Sequence, residues 1–281
     1  MPELPEVETV MRGLEPVLKG SEIMNVQVRR KDLRIPFPKG LKKKMEGQKI
    51  LNLTRRAKYI LINLSSSEVL VIHLGMSGRM TIIPKGENYE IEKHDHFIMT
   101  MKNGVQIIYN DPRRFGMIFL VGQDDIDSHK AFYHLGPEPL CNEFSGPVLA
   151  ERLKNKKVAI KQALLDQRVV VGVGNIYASE ALYKAGIKPT KRAELVKGDK
   201  AELLVKCIRD VLRRAIKAGG STLKDYRHAD GELGYFQHSF TVYDREGELC
   251  PICKKAGETK PCIKKIVQSG RSTYYCSRTQ K

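Results

Sequence analysis

Met1-Pro2-Glu3-Leu4-Pro5-Glu6-Val7-Glu8-Thr9-Val10 opens the chain and sets its plan. Pro5 suits the first turn of a helix, where a missing N–H is not needed. Glu6 and Glu8 follow at the positive end of the helix dipole. Val7, Val10, Met11, Leu14 and Leu18 recur at helical spacing and share one face. Pro16 is expected to bend the last turn and Gly20 to stop the helix. Such a face must dock on other elements, and Pro2 and Glu3 project from the helix start. Once Met1 is cleaved, Pro2 carries a free secondary amine. An α-amine titrates near ~8, against ~10.4 for lysine, so part of it is free base at neutral pH. That amine can attack an aldehyde-level carbon to give an iminium, with Glu3 in reach to move protons. The same residues also read as an ordinary polar helix start, and alone they do not choose.

Residues 22 to 122 read as many short strands joined by short turns, the pattern of a β-sandwich or barrel. Met24-Val26-Val28 alternates. Apolar runs follow at 60–62, 69–72, 97–99, 105–107 and 117–120, with turn residues such as Asn103-Gly104 between them. At Leu135-Gly136-Pro137-Glu138-Pro139-Leu140 the texture changes, and two closely spaced prolines mark a linker. Residues 147–218 are helical in pattern. One helix spans 159–165, a turn 169–174, a second helix 176–185 ended by Gly186, and a third is closed by Gly219-Gly220. The polar, glycine-bearing stretch 221–240 reads as a loop, and 241–281 as a small cysteine-bearing module. The expected domains are 1–134, a linker 135–146, 147–240 and 241–281.

The chain has 281 residues and a net charge of +17, an excess that points to a polyanion, most often nucleic acid. No apolar stretch is long enough to span a membrane, and the first residues do not read as a signal peptide, so a cytoplasmic protein is expected. Of six cysteines, Cys141 and Cys207 stand apart and read as buried small apolar residues. Cys250, Cys253, Cys262 and Cys276 cluster, which in a reducing compartment suggests metal. Cys250-Pro251-Ile252-Cys253 is a half-site for structural zinc. A second Cys-x-x-Cys would need a cysteine at 279, where Thr279 stands. Cys262 is the remaining local thiol.

Several other stretches carry chemistry. Lys58, in Arg55-Arg56-Ala57-Lys58-Tyr59, reads as a phosphate contact, a solvated cation or a proton donor, and spacing leaves these open. His73-Leu74-Gly75-Met76-Ser77-Gly78-Arg79 and Asp111-Pro112-Arg113-Arg114-Phe115-Gly116 are glycine-bearing turns, each setting an apolar residue beside arginine. Apolar wedges with arginine are what some proteins insert into DNA to kink it and fill the space of an extruded base. Core packing of Met76 and Phe115 is the other reading. Gly172-Val173-Gly174-Asn175 lies between two helices, where backbone amides and Asn175 can meet a phosphate, with Lys156, Lys157 and Lys161 upstream. Gly270-Arg271-Ser272-Thr273-Tyr274-Tyr275 reads as a hairpin tip carrying Arg271.

Together these motifs resemble the bacterial formamidopyrimidine-DNA glycosylases, over essentially the whole chain. The opening, residues 55–59, 73–78, Lys93-His94-Asp95-His96, 111–116, 172–180 and 270–276 carry the resemblance, in order. The related endonuclease VIII enzymes typically open differently, and Leu4 favours the purine-repair branch. The resemblance implies an α+β multidomain fold: an N-terminal helix and β-sandwich, then a helix-two-turn-helix domain with a zinc-finger-like β-hairpin. It implies excision of oxidised purines from damaged double-stranded DNA and β,δ-elimination at the abasic site, by a monomer, without a redox or organic cofactor.

The resemblance also assigns roles. Pro2 attacks C1′ and forms a Schiff base. Glu3 is the general acid/base, and Glu6 supports the site and is grouped with the DNA-binding residues. Lys58 donates a proton for β-elimination and Arg271 for δ-elimination. Met76, Arg113 and Phe115 fill the gap left by the flipped base. His94, Arg113, Lys156, Lys161 and Asn175 bind DNA, and 221–240 includes a loop closing over the lesion. One structural zinc is expected on Cys250, Cys253 and Cys276, with Cys262 as the substitute fourth ligand; weak binding, or a hairpin standing without metal, are the alternatives. An oxidised-pyrimidine glycosylase and a catalytically silent DNA-binding protein are the rival functions.

Overall fold

The computed structural model describes residues 2–221 and 234–281. The interior of the loop expected over 221–240 lies outside the described residues. The chain divides into two compact units, Met1–Tyr133 with Ala218–Tyr235, and His134–Lys217 with Phe236–Lys281.

In the first unit, helix α1 (Leu4–Leu18) carries the stripe read from the sequence, and Val7, Val10, Met11, Leu14 and Leu18 are all buried. Eight strands follow: β1 (Ile23–Val28), β2 (Ile50–Arg56), β3 (Tyr59–Leu64), β4 (Glu68–His73), β5 (Arg79–Ile83), β6 (Asp95–Met101), β7 (Gln106–Asn110) and β8 (Met117–Gly122). A short helix α2 (Leu41–Met45) lies between β1 and β2. The strands form two antiparallel sheets, ordered β1-β6-β7-β5 and β2-β3-β4-β8. Leu14, Val26, Leu53, Ile62, Ile72, Phe97, Met99, Ile107 and Ile118 share one core, so the sheets make the expected sandwich with α1 packed into it. Each fully buried aliphatic side chain there contributes about 1.5–3 kcal/mol, which fixes where α1 begins and thus where Pro2 sits.

One expected face is corrected. A bulge between Ile23 and Asn25 shifts the register of β1. Ile23 and Val26 therefore point inward, while Met24 is 58% exposed and Val28 lies outward. Strict alternation fails where one extra residue is accommodated.

The second unit holds α3 (Gly146–Leu153), α4 (Ile160–Leu165), α5 (Asn175–Lys184) and the long amphipathic α6 (Asp199–Lys217). Helix α7 (Pro251–Lys255) and the hairpin β9 (Ile263–Gln268) and β10 (Arg271–Cys276) complete it. The segment read as a linker packs on this unit. The Arg209 guanidinium of α6 donates to the carbonyls of Pro139, Cys141 and Phe144, and Gly136 N–H donates to Gln167 O. Cys207 is buried as expected, but Cys141 is exposed. Residues 218–221 and 234–235, read with the helical domain, group with the first unit. Among the described residues, no helix is long and apolar enough to cross a membrane.

Candidate active site and nucleic-acid interface

The start of α1 is bolted in place. Pro2, Glu3 and Glu6 are buried. Glu3 N–H donates to Glu6 Oε2 at 2.8 Å, capping the helix start. The other oxygen of Glu6, Oε1, accepts from Ser221 N–H at 2.8 Å and from Ser221 Oγ at 3.0 Å. Glu6 thus ties the helix start to the base of the segment 218–235, whose ends pair through Ser221 and Tyr235. Both oxygens of its carboxylate are thus used within the unit.

Lys58 sits at the tip of the β2–β3 hairpin, between the paired residues Arg56 and Tyr59. Ala57 completes the tip at φ 53°, a left-handed turn position. Arg55 Nε pairs with Glu8 Oε2 at 2.8 Å, and another Arg55 nitrogen donates to Ala57 O at 2.8 Å. That link holds the Lys58 tip to the first turns of α1, and nothing in the sequence pattern announced it. Lys58 is itself buried, 7% exposed. Burial pushes the His73 imidazole down to about 4, and the nearby cations Lys58 and Arg34 add to the effect. His73 is therefore neutral, as its Nδ1 requires in accepting from Gly75 N–H.

The two glycine-bearing turns lie against each other. A Cβ at Gly75 would collide with the backbone of Phe115 and Gly116, and one at Gly116 would collide with the Tyr109 hydroxyl. Glycine is required at both points by close approach. Between the turns, Met76 and Phe115 are 37% and 43% exposed, which sets aside core packing for both. Arg113 is exposed too, its guanidinium carbon 4.9 Å from the centre of the Phe115 ring. Arginine stacked on an aromatic face is a stiffened pair, suited to insertion between bases. His94 is half-buried, and its carbonyl accepts from Asp111 N–H.

In the second unit, Arg271 follows the turn Ser269-Gly270 and is exposed. Lys161, expected on DNA, is 1% exposed. Its ammonium donates to Thr273 Oγ1 at 2.8 Å and Ser272 O at 3.1 Å. Asn175 Nδ2, half-buried, donates to the same Ser272 carbonyl at 3.0 Å. Both residues therefore hold the strand that begins with Arg271. Sequence reading also missed Glu180. Its buried carboxylate accepts from the N–H groups of Thr241, Val242 and Tyr243 and from the Thr241 hydroxyl, anchoring the start of the cysteine module on α5. Lys156 lines an open cavity of about 490 Å³ with Lys157, Gln162, Asp166, Arg168 and Ser269, where the Asp166 carboxylate lies 2.9 Å from Arg168 Nη2 and 3.9 Å from Lys156 Nζ.

Cys250, Cys253, Cys262 and Cys276 are all buried, with their sulfurs within 4.8 Å of one another. Tetrahedral zinc with Zn–S of about 2.3 Å puts sulfurs about 3.8 Å apart. Cys253 and Cys276 stand 3.7 Å apart. Backbone N–H groups point at three of the sulfurs: Cys250 at Cys262, Cys253 at Cys250 and Thr279 at Cys276. These donors favour thiolate, and the set fits a metal ion. Burial pushes the Cys276 thiol up, but hydrogen bonds from Thr279 and its neighbours prevail and bring it down to about 6. Cys262 thus completes the cluster, and Thr279 contributes through its backbone.

Comparison with known proteins agrees with this geometry. Residues 1–118 match the family profile described as the formamidopyrimidine-DNA glycosylase N-terminal domain, and residues 135–227 that described as the formamidopyrimidine-DNA glycosylase H2TH domain. A formamidopyrimidine-DNA glycosylase of Ruegeria pomeroyi is 50% identical over 287 aligned residues, covering 100% of both chains. A Lactococcus lactis Fpg mutant in complex with Fapy-dG-containing DNA superposes with a TM-score of 0.89 at 33% identity, covering 100% of both chains. The Lactococcus lactis Fpg in complex with abasic-site DNA gives 0.88 at 33%, covering 99% of each.

Proposed function

This chain belongs to the formamidopyrimidine-DNA glycosylase family, and we propose that Pro2, freed by removal of Met1, is its nucleophile. The enzyme is a DNA glycosylase and abasic-site lyase of base excision repair that acts on damaged double-stranded DNA. Its preferred lesions are oxidised purines, formamidopyrimidines and 8-oxoguanine, and it works as a monomer in the bacterial cytoplasm. The Pro2 nitrogen attacks C1′ of the everted nucleotide. The C1′–N bond to the base breaks, and the base leaves with the electron pair and a proton. Loss of the amine proton leaves an aminal, and cleavage of the C1′–O4′ bond, with O4′ taking the electron pair and a proton, opens the sugar to the iminium. Glu3 moves these protons. Lys58 then protonates the leaving phosphate in β-elimination after a proton is lost from C2′, and Arg271 does so for the second phosphate. Water hydrolyses the sugar fragment from Pro2 and restores the amine.

Met76, Arg113 and Phe115 occupy the gap left in the duplex, with Arg113 facing the orphaned base. His94, Lys156 and Asn175 contact the backbone, while Glu6 and Lys161 act through the groups they hold. Capping of the everted base by the 221–240 loop is part of this reading.

The observation that carries it is the fixed start of α1. Glu6 secures Glu3, and the Glu8–Arg55 pair brings the Lys58 hairpin to the same helix end. A duplex with one 8-oxoguanine opposite cytosine should be cut to a one-nucleotide gap with phosphate at both ends. Equal or faster processing of an oxidised pyrimidine would favour the endonuclease VIII-like reading.

The metal is zinc in this reading, held by Cys250, Cys253, Cys262 and Cys276 and serving only to stiffen the module that carries Arg271. Wild-type protein should hold one zinc. Cys262→Ser should lose most of it and melt about 5 °C lower or more. Stoichiometric zinc in that variant would show that Cys262 is not a ligand.

A further inference from the structure

Asp111 is fully buried, and it is not among the residues so far given a part in the reaction. Its carboxylate accepts from Ser77 Oγ at 2.6 Å, from Gly116 N–H at 2.9 Å and from the Tyr109 hydroxyl at 3.3 Å. Its own N–H donates to His94 O, its carbonyl lies 3.0 Å from His96 Nε2, and it accepts from Arg114 N–H. Ser77 Oγ in turn accepts from Arg113 N–H at 3.2 Å. The side chain of Asp111 therefore gathers the turn bearing Met76 and the turn bearing Arg113 and Phe115, while its backbone holds the strand end bearing His94.

These groups are brought together from well-separated parts of the sequence. The donors to the carboxyl group are hydroxyl and amide groups, so this buried polar group is satisfied only while all three remain aimed at it. The turns are glycine-bound and cannot be propped apart by bulk at Gly75 or Gly116. Their mutual setting depends on hydrogen bonds that converge on this carboxylate.

We propose that Asp111 is the positioning residue of the intercalating wedge. It sets the geometry in which Met76, Arg113 and Phe115 enter the duplex, and touches neither the lesion nor the sugar itself. Asp111→Asn keeps the shape of the side chain but turns an amide N–H2 toward groups that are themselves donors. The wedge then loses its register while the Pro2 end of the unit, held by Glu6 and Glu8, stays in place.

The proposal rests on the reading of this chain as a base-everting glycosylase, and the experiment separates the two. Full-length wild type, Asp111→Asn and Ser77→Ala are compared. Single-turnover excision of 8-oxoguanine from duplex needs the wedge. Borohydride trapping on single-stranded DNA with an abasic site does not, because no stacked base has to be displaced. Binding to a duplex with a stable abasic analogue opposite 2-aminopurine reads the wedge directly, as a rise in fluorescence.

Asp111→Asn should lose about 100-fold in duplex excision. Ser77→Ala, which removes one bond from the knot, should lose about tenfold. Both should trap single-stranded abasic DNA at the wild-type level and lose most of the fluorescence rise. Excision and fluorescence at the wild-type level in both variants would overturn the proposal. Equal losses in excision and single-strand trapping would overturn it as well, since general damage to the fold predicts that result. Should Asp111→Asn fail to fold, Ser77→Ala decides by the same criteria. Should wild type neither excise nor trap, the glycosylase reading fails. The fluorescence measurement needs no chemistry and still decides: an undiminished rise in the variants rejects a positioning role.

Discussion

A variant of this chain with one residue inserted between Met1 and Pro2, so that Pro2 keeps an amide bond after processing, should lose base excision by roughly 10⁴-fold or more, the scale set by loss of a covalent nucleophile. The reason is electronic. An amide nitrogen has its lone pair delocalised into the carbonyl and cannot attack C1′. The free α-amine titrates about two units below a lysine, so it can be nucleophilic at neutral pH without a neighbouring base. Binding should survive the insertion better than chemistry, because Met76, Arg113, Phe115 and Lys156 are untouched. Single-turnover excision and duplex affinity, measured side by side, check this. Excision within tenfold of wild type would assign the nucleophile elsewhere, and Lys58 would be the first residue to examine.

The second large effect is expected at Glu3. Glu3→Gln keeps the shape and backbone of the helix cap, so the Glu3 N–H bond to Glu6 persists. It removes the group proposed to exchange protons with the sugar and the departing base. General acid–base catalysis contributes about 10²–10⁴-fold, and base excision should fall by that amount. A preformed abasic site no longer needs base departure, so covalent trapping there should fall far less. The contrast between an intact lesion and an abasic site, measured on one preparation, carries the prediction. Equal losses on both substrates would mean that Glu3 supports the helix start rather than proton transfer. The thermal midpoint serves as a control, because Glu3 is buried and a loss of folding would lower it.

How much of this could be read beforehand depended on the range of the interactions. Helix α1 was legible because its stripe repeats every turn, and the runs that became β3, β4, β6 and β8 were legible because both faces are largely apolar. Strands β2 and β5 were not. Ile50–Arg56 buries only Ile50 and Leu53, and Arg79–Ile83 is short and half-buried, so neither shows an apolar run. The bulge in β1 shifted an apparently clean alternation.

In the site, motif residues stood out where the backbone demands glycine or where cation and apolar residue adjoin. Their supports did not. Glu6 with Ser221, Glu8 with Arg55, Ser77 with Asp111 and Lys161 with Thr273 are paired across long stretches of chain. Such pairs leave no period in a single sequence. Lys161 shows the consequence, since nothing in its basic stretch tells that the side chain is buried against Thr273. The cysteine cluster shows the converse. Spacing drew attention to Thr279, whereas the fold brings Cys262 to the other three sulfurs.

The central claim is that the reaction passes through the amine of Pro2. The most direct test is to incubate the mature protein with abasic duplex, reduce with borohydride, digest, and locate the sugar adduct by mass spectrometry. The account predicts one adduct, on the N-terminal peptide beginning at Pro2, with the mass of a reduced secondary-amine linkage. An adduct on Lys58 or any other lysine, with the Pro2 peptide unmodified, would contradict it.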